Sequence, residues 1–297
     1  MFRNNWKRLG LTAGLALSLF AAGCGSDEES TSSDEGASSE GKEIELAYVE
    51  WDTEVASTHV IGKVLEDQGF DVTLTPLDNA VMWEAVANGE ADGMVAAWLP
   101  GTHADQYENY GDQVVDLGTN LEGAKIGLVV PEYMDVNSIE DLDSQADQTI
   151  TGIEPGAGVV AAAEDAVEEY ENLEGWEVQT SSSGAMATQL GQAIENEEDV
   201  IVTGWSPHWK FAKYDLKYLE DPKSSFGEAE TIDTMVRQDL EEDMPNAYKI
   251  LDQFNWTSED MEEVMLEITD GATPEDAAAA WVEENQDKVD AWTKGVE

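Results

Sequence analysis

Residues 44–74 form the stretch IELAYVEWDTEVASTHVIGKVLEDQGFDVTL, and its pattern decides the fold class. Ile44 to Trp51 are rich in branched and aromatic residues and stop at a polar turn, which is typical of a strand. Apolar residues then recur three and four apart over 55–68, as on one face of a helix, and Gly69 ends that helix. Alternation over 70–74 predicts a second strand. The unit is therefore strand, helix, strand.

The rest of the chain continues this alternation of strands and helices. Further strands are predicted at 93–98, 125–130, 149–153, 177–180 and 200–203. Further helices are predicted at 81–87, 184–195, 240–254, 258–268 and 275–292. Alternating strands and helices predict an α/β protein with parallel sheets flanked by helices. Two such series of about 90 residues each favour two lobes.

The N-terminus carries the pattern of a secreted, anchored protein. Basic residues are followed by an uncharged apolar run from Leu9 to Ala22 and then by Gly23-Cys24. A short apolar run closed by small residues is typical of a signal peptide rather than a membrane span. Cys24 is the only cysteine of the chain, so we predict a signal peptide over 1–23 and lipidation of Cys24. The Ser-, Gly- and acid-rich residues 24–42 are predicted to be a flexible tether.

The charge of the chain excludes several partners. Asp and Glu number 65 against 14 Lys and Arg, which gives a net charge of −51. Nucleic acid and anionic membrane faces would repel such a protein. Hydrophobic residues still make up 41% of the chain, so it is not a disordered acidic segment. We interpret the acidity as a solvated surface suited to high salt, where self-repulsion is screened.

Three predicted strands end in a tryptophan followed by a polar or proline-containing turn. These tryptophans are Trp51, Trp98 and Trp205. Ligands of α/β sheets bind at the carboxyl ends of strands, so the three rings are expected near one site. Aromatic faces attract a cation by about 0.5–2 kcal/mol per contact, and a quaternary ammonium has no N–H for a carboxylate to accept. We therefore predict an aromatic cage. Four other tryptophans are assigned to the core: Trp176, Trp256, Trp281 and Trp292.

A fourth strand end has the opposite chemistry. The turn Gly156-Ala157-Gly158-Val159 opens a predicted helix, and the free backbone N–H groups of a helix N-terminus form an anion site. Such glycine turns are common, so the turn alone is a weak signal. A cation cage together with an anion site predicts a zwitterionic ligand.

Several long motifs give the chain a family resemblance. They are AYVEWD at 47–52, AWLPGTH at 97–103, KIGLVVP at 125–131, GIEPGAG at 152–158 and GWSPHW at 204–209. In these motifs the chain resembles the glycine betaine-binding lipoproteins of ABC importers, the OpuAC/ProX-like substrate-binding proteins. The resemblance covers essentially the whole chain after the tether. It implies a two-lobe periplasmic-binding-protein-like fold of type II, with the ligand in the cleft between the lobes.

The resemblance also implies site residues and lobe boundaries. Trp51, Trp98 and Trp205 would surround the trimethylammonium group. The backbone N–H groups of Gly158 and Val159, with the side chain of His103, would hold the carboxylate. The domains implied are lobe 1 over 43–135, lobe 2 over 136–229 and a helical return to lobe 1 over 230–297. Trp83, His208 and Trp209 are interpreted as packing residues.

The implied function is capture of glycine betaine outside the cytoplasm and its delivery to an ABC permease and ATPase. Its lipid would hold the protein at the cell membrane. The resemblance implies no cofactor, no metal and no catalytic residue. Proline betaine, carnitine or choline stay open as ligands.

Two other classes fit the sequence less well. An enzyme is disfavoured because the chain has no Gly-x-Ser-x-Gly elbow and no HExxH zinc motif. An acidic adhesin or calcium-binding protein is disfavoured because no segment matches an EF-hand loop.

Overall fold

The computed structural model describes Ser39 and residues 41–296. The strands in this part of the chain are β1 (Glu43–Tyr48), β2 (Asp71–Pro76), β3 (Gly93–Leu99), β4 (Val114–Pro131), β5 (Thr149–Thr151), β6 (Glu177–Gln179), β7 (Val202–Ser206), β8 (Leu216–Tyr218) and β9 (Glu230–Arg237). The helices are α1 (Asp52–Asp67), α2 (Asn79–Asn88), α3 (Ala104–Tyr110), α4 (Gly158–Glu169), α5 (Ser183–Glu195), α6 (Trp209–Lys213), α7 (Leu240–Asp243), α8 (Pro245–Gln253), α9 (Ser258–Thr269), α10 (Pro274–Glu284) and α11 (Gln286–Trp292).

The strands form two sheets that share the long strand β4. The order across both is β2-β1-β3-β9-β4-β7-β5-β6, with β8 also paired to β4. Residues Val114–Ala124 of β4 pair with β9 in the first sheet, and Lys125–Pro131 pair with β7 and β8 in the second. The molecule is therefore the predicted two-lobe α/β fold, with lobe 1 built on the first sheet and lobe 2 on the second.

The prediction of parallel sheets is only partly right. β1 pairs in parallel with β2 and β3, and β5 with β6 and β7. β9, however, is antiparallel to β3 and β4, and β4 is antiparallel to β7 and β8. The predicted helical return over 230–297 begins with β9, whose residues are almost all buried and so show no helical periodicity.

The change from one sheet to the other falls within β4, between Ala124 and Lys125. The lobe boundary predicted after residue 135 lies beyond that strand and stays a prediction. The predicted signal peptide, Cys24 and most of the tether lie outside the described residues. Within Ser39 and residues 41–296, no helix combines the length and the apolar character needed to cross a membrane.

The core of lobe 1 is covered by the C-terminal helices, which pack against α1 through α9 and α10. Trp281 stacks on Trp292 with ring centroids 5.7 Å apart, and Trp256 meets the Trp281 ring edge-on. All three side chains are buried, as is Trp176 in lobe 2. The assignment of these four tryptophans to the core is confirmed, whereas Trp51 and Trp98 of lobe 1 line the cleft.

Candidate functional site

A small cavity lies between the two lobes. Its lining residues are Trp51, Thr53, Trp98, Thr102, Ile126, Ile153, Ala157, Gly158, Val159 and Trp205. Five of the six predicted site residues are thus brought together on one cavity. The sixth, His103, lies directly behind the wall, next to Thr102. Thr53, Thr102, Ile126, Ile153 and Ala157 were not singled out by the sequence pattern.

The indole N–H groups of two predicted cage tryptophans each meet a carboxylate. Trp51, the residue before α1, donates through Nε1 to Glu154 of lobe 2. Trp98, near the end of β3, donates through Nε1 to Glu54 Oε1 at 2.7 Å. Both bonds restrain the orientation of a ring that lines the cavity, and the Trp51–Glu154 bond does so only while the lobes are closed.

Glu54 is a buried acid with an unusual protonation equilibrium. Burial raises the pKa of the Glu54 carboxyl to about 7, although the Thr53 hydroxyl and the Trp98 indole donate to it. At this site the loss of hydration destabilises the charged carboxylate more than the two hydrogen-bond donors stabilise it. Sequence reasoning passed over Glu54 because its helix contains other acids and nothing local marks it as buried.

The third predicted cage residue, Trp205, lies near the end of β7 on lobe 2 and is in contact with charged and aromatic groups. Lys210 Nζ lies 4.1 Å from the centre of a Trp205 ring. His208 packs edge-on against Trp205, with ring centroids 4.8 Å apart. The interpretation of His208 as a packing residue fits this contact.

The anion side of the cavity is the N-terminus of α4. Gly158 and Val159 are its first two residues, so their backbone N–H groups have no acceptor within the helix. Ala157, which precedes them, caps the helix without a side-chain hydrogen bond. The helix dipole adds partial positive charge at the same end. Both residues line the cavity together with the three tryptophans.

His103 completes the donor set from behind the wall. Its Nδ1 accepts the backbone N–H of Trp98 at 3.1 Å, and its ring stacks on Trp51 with centroids 5.9 Å apart. Burial lowers the pKa of His103 to about 3, so the ring is neutral and carries its proton on Nε2. Among the described residues, Nε2 is buried without a hydrogen-bond partner. A buried donor of this kind fits an anionic oxygen, because an unpaired donor is costly.

Glu230 holds the loop that carries Thr102 and His103. The carboxylate, at the first position of β9, accepts the backbone N–H groups of Gly101 and Thr102 at 2.6 and 2.7 Å and also the Thr102 hydroxyl. The partners are more than 120 residues apart in the chain. No local pattern could have indicated this contact.

Asp52 joins the lobes beside the cavity. It accepts the Trp209 indole N–H at 2.8 Å and the Ser183 hydroxyl at 3.2 Å, and His208 Nε2 lies 3.4 Å away. Burial alone would raise the pKa of Asp52, but His208, Trp209 and the nearby Lys210 lower it to about 2. Trp209, interpreted from the sequence as a packing residue, therefore also bonds across the cleft. The lobes are closed on one another.

Taken together, aromatic faces and backbone donors from two closed lobes define a solute-binding protein of the two-lobe class. Residues 42–284 match the family described as the substrate binding domain of ABC-type glycine betaine transport systems, and the chain belongs to this family.

The similarities to individual proteins agree with that family. The chain is 51% identical over 159 residues to the glycine betaine/carnitine transport binding protein GbuC of Listeria monocytogenes. That match spans about half of each, 53% of this chain and 53% of the relative. The structure resembles lactococcal OpuAC in its closed conformation complexed with glycine betaine, with a TM-score of 0.84, 57% identity and coverage of 85% of this chain and 100% of that one. It also resembles an ABC-transporter choline binding protein in complex with choline, at a TM-score of 0.79, 28% identity and coverage of 86% and 92%.

Proposed function

We propose that this protein captures glycine betaine outside the cytoplasm and delivers it to the permease of an ABC importer. The observation that carries the proposal is the joint lining of one cavity by Trp51, Trp98 and Trp205 and by the first residues of α4. Rings suit a trimethylammonium group, and free N–H groups suit a carboxylate. The protein acts by binding and release, without catalysis.

Binding follows from the arrangement of these groups on two lobes. The trimethylammonium group contacts the three indole faces, which come from β3, β7 and the start of α1. The carboxylate accepts the N–H groups of Gly158 and Val159 and the Nε2–H of His103. Since both lobes supply donors and rings, the full set of contacts exists only when the lobes are closed. Ligand binding therefore stabilises the closed form.

Choline is the second candidate ligand, favoured by the resemblance to a choline binding protein. Its ammonium head would suit the same rings. Its hydroxyl, however, cannot accept three N–H groups as a carboxylate can, and each unmet buried donor costs about 1–3 kcal/mol. Glycine betaine therefore satisfies the site better than choline does.

Calorimetric titration with glycine betaine, proline betaine, carnitine, choline and glycine tests the proposal. Glycine betaine should bind tightly and glycine, which lacks the methyl groups, should not. Trp51→Ala, Trp98→Ala and Trp205→Ala should each weaken betaine binding by about 1–3 kcal/mol. Tyr133→Ala, at an exposed side chain remote from the lining residues, is the control. If two of the three tryptophan variants bind like the parent protein, the cage is wrongly assigned.

The same titrations separate a binding protein from an enzyme. Ligand recovered after prolonged incubation should be chemically unchanged by mass spectrometry, and a product of altered mass would contradict the proposal.

We further propose that Cys24 is acylated and that the lipid holds the mature protein at the cell membrane. The support is the sequence Ala22-Gly23-Cys24 after an apolar run. Mass spectrometry of the mature N-terminus should detect a lipid on Cys24, and Cys24→Ser should release the protein from the membrane fraction. An unmodified N-terminus at another residue would contradict the anchor.

A further inference from the structure

Lys210 is a buried lysine stacked on a wall of the cavity. Its side chain is fully buried, and Nζ has no hydrogen-bond partner among the described residues. Nζ lies over the face of Trp205, 4.1 Å from the ring centre. A lysine ammonium ordinarily keeps its water shell, and its removal is costly. The proposed capture of betaine assigns no role to this lysine.

The Trp205 ring separates Lys210 from the cavity. Trp205 lines the cavity, whereas Lys210 does not. A ligand cation bound on the cavity side would lie within about 6 Å of the ring centre. Two positive charges would then share one indole, about 8–10 Å apart, with the ring between them. At that distance their repulsion corresponds to a roughly tenfold loss of affinity.

Among the charged groups packed around Lys210, Lys210 itself is the one that changes its protonation state near neutral pH. Burial lowers the pKa of Lys210 to about 7, against the opposing effect of Asp52 at the start of α1. Asp52 stays ionised, because its pKa is about 2, and His208 stays neutral, because burial and Lys210 lower its pKa to about 4. Burial raises the pKa of Glu262, on the neighbouring helix α9. Across the cavity, the other group that titrates near neutrality is Glu54.

We propose that Lys210 is a specificity-determining residue whose charge state sets how tightly the Trp205 face holds a quaternary ammonium group. This inference rests on the proposed function. Protonated Lys210 opposes a cation on the other face of the ring, and loss of the proton to solvent removes the opposition. Choline carries a net positive charge, so it is penalised more than the zwitterion betaine. Lys210 thus adds to the preference for a zwitterion.

Titration of glycine betaine and choline into Lys210→Met and the parent protein, near pH 6 and near pH 9, tests this. Methionine keeps the length and apolar stem of the lysine without the charge. In the parent protein, choline affinity should rise about tenfold between the two pH values, and betaine affinity should rise less. Lys210→Met should bind choline more tightly than the parent near pH 6 and lose the part of the pH dependence that Glu54 does not supply. Lys213→Met, at an exposed lysine on the same helix, should behave like the parent.

Two results would overturn the inference: weaker choline binding by Lys210→Met than by the parent near pH 6, or an unchanged pH profile. Any pH dependence left in Lys210→Met should vanish when Glu54→Gln is added. If neither protein binds either ligand at any pH, the proposed function fails by itself. In that case the titration of Lys210 beside Trp205 is tested without ligand, from the tryptophan emission as a function of pH. With Glu54→Gln in both proteins, which removes the titrating partner of Trp98, tryptophan emission should show a step near neutral pH that Lys210→Met lacks, and a step that persists with Lys210→Met would contradict the proposal.

Discussion

Gly158 of lobe 2 lies against the backbone of Thr102 in lobe 1, with no room between them for a side chain. A Cβ atom on Gly158 would lie 2.7 Å from Thr102 Cγ2 and would overlap the Thr102 carbonyl oxygen. The two lobes are therefore in tight contact at the residue that begins α4 and lines the cavity.

Gly158→Ala should keep the protein folded but prevent full closure. The added methyl group would meet backbone atoms, which cannot turn aside as a flexible side chain can. Betaine affinity should fall about tenfold or more, since closure is needed for the full set of contacts. The measurement is calorimetric titration, with X-ray scattering to detect a molecule that stays open in saturating ligand.

The matched control for this variant is Gly184→Ala. Gly184 also lies in the first turn of a helix of lobe 2, and a Cβ atom there would meet nothing within 4 Å. Betaine binding by the control should equal that of the parent. Equal affinities for the two alanine variants would show that the Gly158–Thr102 contact does not limit closure.

His103 should discriminate between betaine and choline. The parent protein should favour betaine by about tenfold or more, because choline leaves donors unmet. His103→Ala should narrow that gap mainly by weakening betaine. His103→Asn is the better-matched variant, because its side-chain oxygen can still accept the Trp98 backbone N–H while its amide is too short to replace Nε2. An equal loss for both ligands would mean that His103 does not contact the carboxylate.

Glu54 should make stability depend on pH. Its pKa is raised from 4.5 to about 7, so the folded protein disfavours the carboxylate. Relative to Glu54→Gln, the free energy of unfolding of the parent should be greatest below pH 4.5. It should fall as the pH rises to about 7, by about 3 kcal/mol in all, and then level off. Chemical denaturation across this range measures the difference. Glu50→Gln, at an exposed glutamate of the same segment, should show no such trend, and a flat Glu54 difference would contradict the burial effect.

The net charge of −51 should make the fold more stable in salt. Self-repulsion in the compact state is screened as ionic strength rises, with a Debye length of about 10 Å at 0.1 M and about 3 Å at 1 M. The melting temperature should therefore rise from dilute buffer to about 1 M NaCl. A constant or falling melting temperature would mean that the surface charges are too well solvated to matter.

The strand ends were the informative part of the sequence. Trp51, Trp98 and Trp205 follow short apolar runs and precede turns, so the local pattern was enough to predict that each follows or ends a strand. The start of α4 was visible for the same reason, as a glycine turn before a helix. His103 was indicated only by a motif that the chain shares with a family, because a single histidine forms no periodic pattern in the sequence.

The parts that escaped prediction depend on contacts between distant segments. β9 is buried on both faces, so its sequence shows neither alternation nor helical spacing. Glu54, Glu154 and Glu230 are 3 of 65 acidic residues, and only tertiary packing separates them from the solvated majority. Lys210 could not be recognised from the sequence for the same reason, because the residues next to it in the chain do not indicate that its amine is fully buried.

Because β4 runs through both sheets without a break, it can act as a hinge between the two lobes. The strand leaves one sheet at Ala124 and joins the other at Lys125, and the next residue, Ile126, lines the cavity. A bend in β4 at this point would swing the outer rim of the cleft through a long arc while the wall at Ile126 hardly moves. The solute would therefore bind close to the hinge axis. There, a small change in the position of a ring or a donor corresponds to a large displacement of the outer rim of the cleft.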